Sequence, residues 1–268
     1  MTTHRSRGTS IGHYIIEHEL VRARGVVSYR AVHATLGRAV VLKVLDESSN
    51  LRGSDAAFVR EAQVLDRLSH PNVARLYDCG TLADGRPWFA CEQLVGPTLA
   101  EAIAAGSRID AAYVLSQLAA VVAHAHAAGI AHRNLRAENV VCVVDPAGGI
   151  RLVVDGWTQT RDLAAMPTDA AADVHALGVI ALQILGGVMA FSSGTLAMLT
   201  TMSAQTRFPR AARGLTALVD RMLARDVRLR PTAAQTRAAA STQVAMARRQ
   251  AGFPVEADSE MTRIQHVA

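Results

Sequence analysis

Val40-Val41-Leu42-Lys43-Val44-Leu45 is an apolar, mostly β-branched run with one ammonium inside it, and Lys43 is the only lysine of the chain. Every other member of the 28 Lys and Arg residues is arginine. Arginine is a wide planar fork and lysine a compact point charge with three donors. A lysine kept where arginine serves everywhere else therefore marks a position at which shape matters. The run reads as a strand. Around it, residues 13–45 read as short strands and turns, with Ile15-Ile16 a second apolar pair. Ser54–Leu68 reads as an amphipathic helix, capped by Ser54 or Asp55, with Phe58, Ala62, Leu65 and Leu68 as its stripe. It should stop before His70-Pro71. Strands follow at Val73–Asp78 and Arg86–Gln93, joined by a turn at Ala83-Asp84-Gly85.

Beyond Ile109 the pattern turns helical. Asp110 caps a run whose stripe includes Val114, Leu115, Leu118, Val121 and Val122. Strands return at Val140–Val144 and Ile150–Val154 around the turn Asp145–Gly149. After Asp169 the chain reads as helical to about Arg249. The order predicts an α+β chain of two lobes: a small β-rich lobe with one helix over 13–94, and a larger, mainly helical one over 95–249. The joint falls near Leu94-Val95-Gly96. Residues 1–12 read as a flexible start and 250–268 as a polar, flexible tail.

At 268 residues, half of them apolar and 19% charged, the chain is globular in composition. The net charge is +5, but the arginines are scattered and form no block beyond Arg248-Arg249, which argues against a nucleic-acid partner. Cys79, Cys91 and Cys142 are odd in number and far apart. They show neither metal-ligand spacing nor a disulfide framework, as expected in a reducing cytoplasm. Met1–Ser10 lacks the apolar core of a signal peptide. Leu177–Phe191 is the most apolar stretch, too short to span a bilayer and broken by Gln183 and Gly186-Gly187. It reads as a buried core helix, so no membrane span is expected.

The order of signals resembles the bacterial Ser/Thr protein kinase family over residues 14 to about 237, which implies the two-lobed protein kinase-like fold. Lys43 matches the strand lysine, and Glu61 in Phe58-Val59-Arg60-Glu61 the helix glutamate that pairs with it. Leu68–Asp78 looks like the stretch that follows. Cys91-Glu92-Gln93-Leu94 looks like gatekeeper and hinge, where backbone groups near Glu92 and Leu94 would meet adenine. Ala131-His132-Arg133-Asn134-Leu135-Arg136-Ala137-Glu138-Asn139 looks like the catalytic loop. Asp173 resembles the helix aspartate that anchors that loop, and Arg230-Pro231-Thr232 the closing pattern.

The resemblance implies ATP and Mg²⁺ as cofactors, and several of the parts that handle them have changed. Counting back from Lys43 puts Val21, Ala23 and Val26 on the three glycine slots of the phosphate loop, so an ordinary hairpin is expected there. Asn134 stands where the family places its catalytic aspartate, and an amide takes no proton near neutral pH. Arg133 is read as a fixed loop residue. Asn139, a metal-binding position, is kept, and Arg136 stands where many relatives carry lysine. Aligning the strand Ile150–Val154 puts Val154 on the metal-binding aspartate; Asp155 supplies the carboxylate only if that strand bulges by one residue. Residues 156–172 alone separate Asp155 from Asp173, and no glutamate occurs between Glu138 and Glu256. Arg230, whose family partner is a glutamate of that segment, must pair with something else or face solvent; Asp162 or Asp169 could substitute. The reading is a pseudokinase that binds another protein, with a weakly active Ser/Thr kinase as the alternative.

Overall fold

The computed structural model describes residues 7–23, 25–46, 54–144, 148–157, 160–162, 166, 168–187 and 200–250. The chain divides into two compact units, and the main break along the sequence falls between Leu94 and Val95. Residues 70–72 belong with the second unit although segments of the first flank them on both sides. The tail assigned to 250–268 lies outside the described residues beyond Gln250, and so does the start over 1–6.

The first unit is built on a six-stranded antiparallel sheet. Its strands are β1 (Ser10–Ile11), β2 (Tyr14–Ala23), β3 (Val26–His33), β4 (Ala39–Leu45), β5 (Leu76–Thr81) and β6 (Pro87–Glu92), in the order β1-β2-β3-β4-β6-β5. Alternation puts Val40, Leu42 and Val44 of β4 into one face, at most 1% exposed. There they pack with Ile16, Tyr29, Ala31, Trp88 and Ala90. Helix α1 (Ser54–Arg67) buries Phe58, Glu61, Val64 and Leu65, a helical stripe with a carboxylate in it. Strand β5 begins at Leu76, not at Val73. The segment before it is already committed: the Asn72 side chain donates to Gln117 Oε1 and to the Leu152 carbonyl, and its own carbonyl accepts from Val154 N.

The second unit begins with α2 (Leu99–Ala104), a short helix that the sequence reading did not isolate, closed by a capping box between Thr98 and Glu101. Helix α3 (Ala111–Ala127) follows, with Asp110 accepting from Ala112 N and Tyr113 N. Its residues Leu115, Leu118 and Val121 are fully buried. Then come β7 (Ile130–Ala131), a 3-10 turn at Ala137–Asn139, and the hairpin of β8 (Val140–Val144) with β9 (Ile150–Val154). Strand β10 (Arg161–Asp162) pairs with β7. Helix α4 (Thr168–Gly186) has the length and composition of a membrane span, but Val174, Leu177, Ile180, Ala181 and Leu182 are at most 1% exposed, so it serves as a core helix. Residues 188–191 of the apolar stretch are not described. The expected continuous helical region is interrupted: α5 (Ala204–Arg207), α6 (Arg213–Met222) and α7 (Ala233–Gln250) are separate, with Pro209 just after α5, a 3-10 turn at Val227–Leu229 after α6, and Pro231 just before α7.

Candidate functional site

Lys43 points away from the core face of β4, and its Nζ lies 2.7 Å from Glu61 Oε1. The Glu61 side chain is 5% exposed and that of Lys43 18%. A carboxylate that buried needs a counter-charge, and losing it would leave an uncompensated ion. The ammonium also stands 5.6 Å from the centre of the Phe89 ring, its neighbour across β6. Phe89 in turn packs on Phe58 of α1, with centroids 4.9 Å apart. The pair thus ties the helix to the sheet through one charge contact and one apolar one.

The hairpin of β2 and β3 keeps its pairing down to the turn: Val21 faces Ser28, Arg22 faces Val27 and Ala23 faces Val26. Gly25 takes the left-handed conformation that the turn needs, with φ of +76°. Val21 and Ala23 are exposed side chains where glycine would leave room for phosphate. Arg22 fastens the same hairpin, donating to both oxygens of Glu19 and to the buried Asp46 at the end of β4. Glu92 ends β6, its N–H on the Arg75 carbonyl, and Leu94 follows half-buried.

In the second unit, residues 131–139 are held by a set of directed bonds. Asp173, 1% exposed, accepts from His132 N on one oxygen and from Arg133 N on the other, at 2.8 and 2.7 Å. These bonds hold Arg133 at φ of +65°, the one left-handed non-glycine among the described residues. His126 Nε2, at 2.9 Å, shares the Asp173 carboxylate. The Asn134 N–H donates to His132 Nδ1, which fixes the proton of that ring on Nε2, where it meets the Asp155 carbonyl at 3.1 Å. Burial is the main reason that the His132 pKa lies below its ordinary 6.5, consistent with a neutral ring.

Asn139 Nδ2 donates to the Asn134 carbonyl at 2.8 Å, and the Asn139 carbonyl accepts from Asp155 N. Gly156, at φ of +81°, leaves room for the Asn139 carboxamide; a Cβ there would sit 3.1 Å from its nitrogen. Strands β8 and β9 pair in unbroken register from Val140–Val154 to Val144–Ile150, so the bulge that was the condition for Asp155 is absent. Val154 is fully buried. Asp155 is the first residue off the strand, and its backbone bonds to both Asn139 and His132.

The remaining positions depart from expectation. Arg136 pairs within its own loop, Nε to Glu138 Oε2 at 3.1 Å, and that contact is the main reason that the Glu138 carboxyl titrates lower than usual. Arg230 does not take Asp169 as its partner. Asp169 instead forms an ion pair with Arg133 Nε at 3.1 Å, and Arg230 donates to the carbonyls of Ala224 and Ala171. The side chain of Asp162 is not described. The pairings Arg133–Asp169 and His126–Asp173 had no signal in the sequence, being side-chain contacts across long separations.

For ATP the residues present fit in part: Lys43 with Glu61 remains, and the glycines do not. Among the described residues no group of three His, Cys, Asp or Glu is placed to hold a metal ion by itself. Mg²⁺ ordinarily leans on one or two carboxylates plus phosphate oxygens, and Asn139 with Asp155 is a donor set of that kind.

Residues 23–155 match the family "Protein kinase domain". The chain is 27% identical over 230 residues to the serine/threonine-protein kinase PknJ of Mycobacterium tuberculosis, covering 76% of this chain and 39% of that protein. It is 27% identical to PrkC of Bacillus subtilis, over 69% of this chain and 32% of that protein. With pkn3 of Myxococcus xanthus the identity is 28%, over 62% and 36%. The matched region is thus well under half the length of these curated relatives.

Proposed function

Because the chain belongs to the bacterial Ser/Thr protein kinase-like family, whose members use ATP and Mg²⁺, we propose that it is a cytoplasmic pseudokinase: a kinase-like fold kept as a regulatory, protein-binding module with phosphotransfer impaired. One observation carries the reading. Asn134 stands in the slot of the proton-accepting aspartate, inside a loop whose hydrogen bonds are otherwise complete. A positioned general base is worth about 10²–10⁴ in rate, and a carboxamide supplies none of it. The side chains at Val21, Ala23 and Val26 work in the same direction by filling the phosphate cradle. Bound nucleotide would supply the transferable phosphoryl group; Lys43 and Glu61, the backbone near Glu92 and Leu94, and Asn139 with Asp155 would hold it.

A second reading, a weakly active Ser/Thr kinase, is favoured by the bonding of Asp155 to Asn139 and His132. Calorimetric titration with ATP, in Mg²⁺ and in EDTA, paired with labelled-phosphate transfer to added protein, separates the two. The pseudokinase reading expects weak or no binding and no transfer by the wild type. Mg²⁺-dependent binding together with transfer would overturn it. If Asn134→Asp gains transfer, the remainder of the site was sound and the lost base was the defect.

A further inference from the structure

Arg230 lines a cavity of about 320 Å³. Its walls include His126 of α3, Ala170 and Ala171 of α4, and Thr232 and Ala234 at the start of α7. Arg230 is fixed from behind: Nε donates to the Ala224 carbonyl at 2.9 Å and Nη1 to the Ala171 carbonyl at 3.0 Å. Both acceptors are neutral, and among the described residues no carboxylate forms an ion pair with Arg230. The nearby acids are committed elsewhere, Asp169 to Arg133 and Asp173 to His126 and two loop amides. A guanidinium offers five donors in a plane, so this one keeps donors over after its two backbone bonds.

We propose that this cavity is a binding site for a carboxylate on a short aliphatic stem, with Arg230 as its counter-ion. The surroundings suit such a ligand in three ways. The first turn of α7 reaches the wall, and the N-terminal ends of helices favour anions, whereas the first turn of α4 also reaches it but already carries Asp169. Helix α7 has no acidic residue in its first turn to offset that field. The rest of the lining is mostly alanine, with Val174 and Pro231, which matches an aliphatic stem better than a bare multivalent anion. The charge of Arg230 is also felt by His175 on α4, whose pKa is lowered first by burial and then by Arg230. Occupancy would reach the loop, because the wall residue His126 shares Asp173 with the amides of His132 and Arg133.

The test uses the full chain, with butyrate as probe, chloride at equal ionic strength as control, and a capped Ala-Glu-Ala peptide as the polypeptide-borne source. Thermal unfolding and the His126 ring resonances are followed together. Butyrate should raise Tm and shift the His126 signals saturably, while chloride does neither. Ala234→Leu, at an exposed position on the wall that leaves the Arg230 braces intact, should abolish the response. Arg230→Lys should weaken it roughly tenfold, about the worth of one charge-assisted hydrogen bond. A preference for the peptide would assign the carboxylate to a protein chain, and a preference for butyrate to a free acid; either supports the site. An equal response to chloride, a response that survives Ala234→Leu, or none at all would overturn it. Inorganic phosphate binding as tightly as butyrate would overturn the aliphatic stem.

Discussion

The two sides of residues 131–139 differ in kind. The inward side consists of Ala131, His132, Leu135 and Ala137, at most 6% exposed, and its one polar ring has both nitrogens bonded. The outward side carries Arg133, which pairs with Asp169, Arg136 and Glu138, which pair with each other, and Asn134, the amide in the base slot. The inward side is maintained by folding free energy, because an unmet buried polar group costs about 1–3 kcal/mol each time. The outward side has no such guard: its residues can change with little effect on stability. A loop of this construction can lose its chemistry and keep its shape.

The largest break in that comparison should come from Asp173→Ala. It removes the acceptor of two loop amides and of His126 at a site 1% exposed, and Arg133 loses what holds its left-handed backbone. A loss of about 4 kcal/mol is expected from a buried, charged acceptor with three partners, read as a fall in the urea midpoint. A loss under 1 kcal/mol would mean that the inward side is not what holds the loop. Next comes Lys43→Met in the first unit, expected to cost about 3 kcal/mol by leaving Glu61 buried without a counter-charge. Adding Glu61→Leu should recover most of that loss, since a packed apolar pair replaces the ions. No recovery in the double variant would show that the lysine stabilises through Phe89 and not through the carboxylate.

The contrast between kept and changed parts also explains what the sequence made legible. Elements with a strong local pattern were read nearly to the residue: β8 and β9, α1 within one residue, and the cap at Asp110. Lys43 with Glu61 was readable because both sit on such elements. The outcome for Asp155 was not, since it depends on the register in which β8 and β9 pair, which no periodicity encodes. Asp169, one of two candidate partners for Arg230, meets Arg133 instead, and Arg230 rests on two carbonyls. Charges at the ends of long side chains choose partners by three-dimensional position, and sequence order says little about that.

Acidification gives a smaller, graded effect. Burial lowers the pKa of His132, and it is also the main cause of the lowered values of His70 and His175. The unfolded chain takes up protons near 6.5 and the native state does so only at lower pH. Stability is therefore flat above about pH 7 and falls as pH drops below 6.5. The loss cannot exceed about 1.4 kcal/mol per pH unit below 6.5 for each ring. Urea midpoints across pH 5–8 would show it; a midpoint that rises on acidification would mean that these rings are not buried as neutral species.

The smallest effect expected is that of Asn134→Asp on stability, and its smallness is what the comparison needs. The two bonds that fix residue 134 are both made by its backbone: the N–H to His132 Nδ1 and the carbonyl from Asn139 Nδ2. Neither depends on whether the side chain ends in an amide or a carboxylate. The position is half-exposed, so the new charge keeps much of its hydration. A change within about 0.5 kcal/mol is therefore expected, the usual range for a surface substitution away from special features. A larger destabilisation would mean that the asparagine is itself part of the frame, holding the loop in a way that a carboxylate cannot. The absence of the base would then be a condition of this fold's stability, and not a change that the frame does not feel.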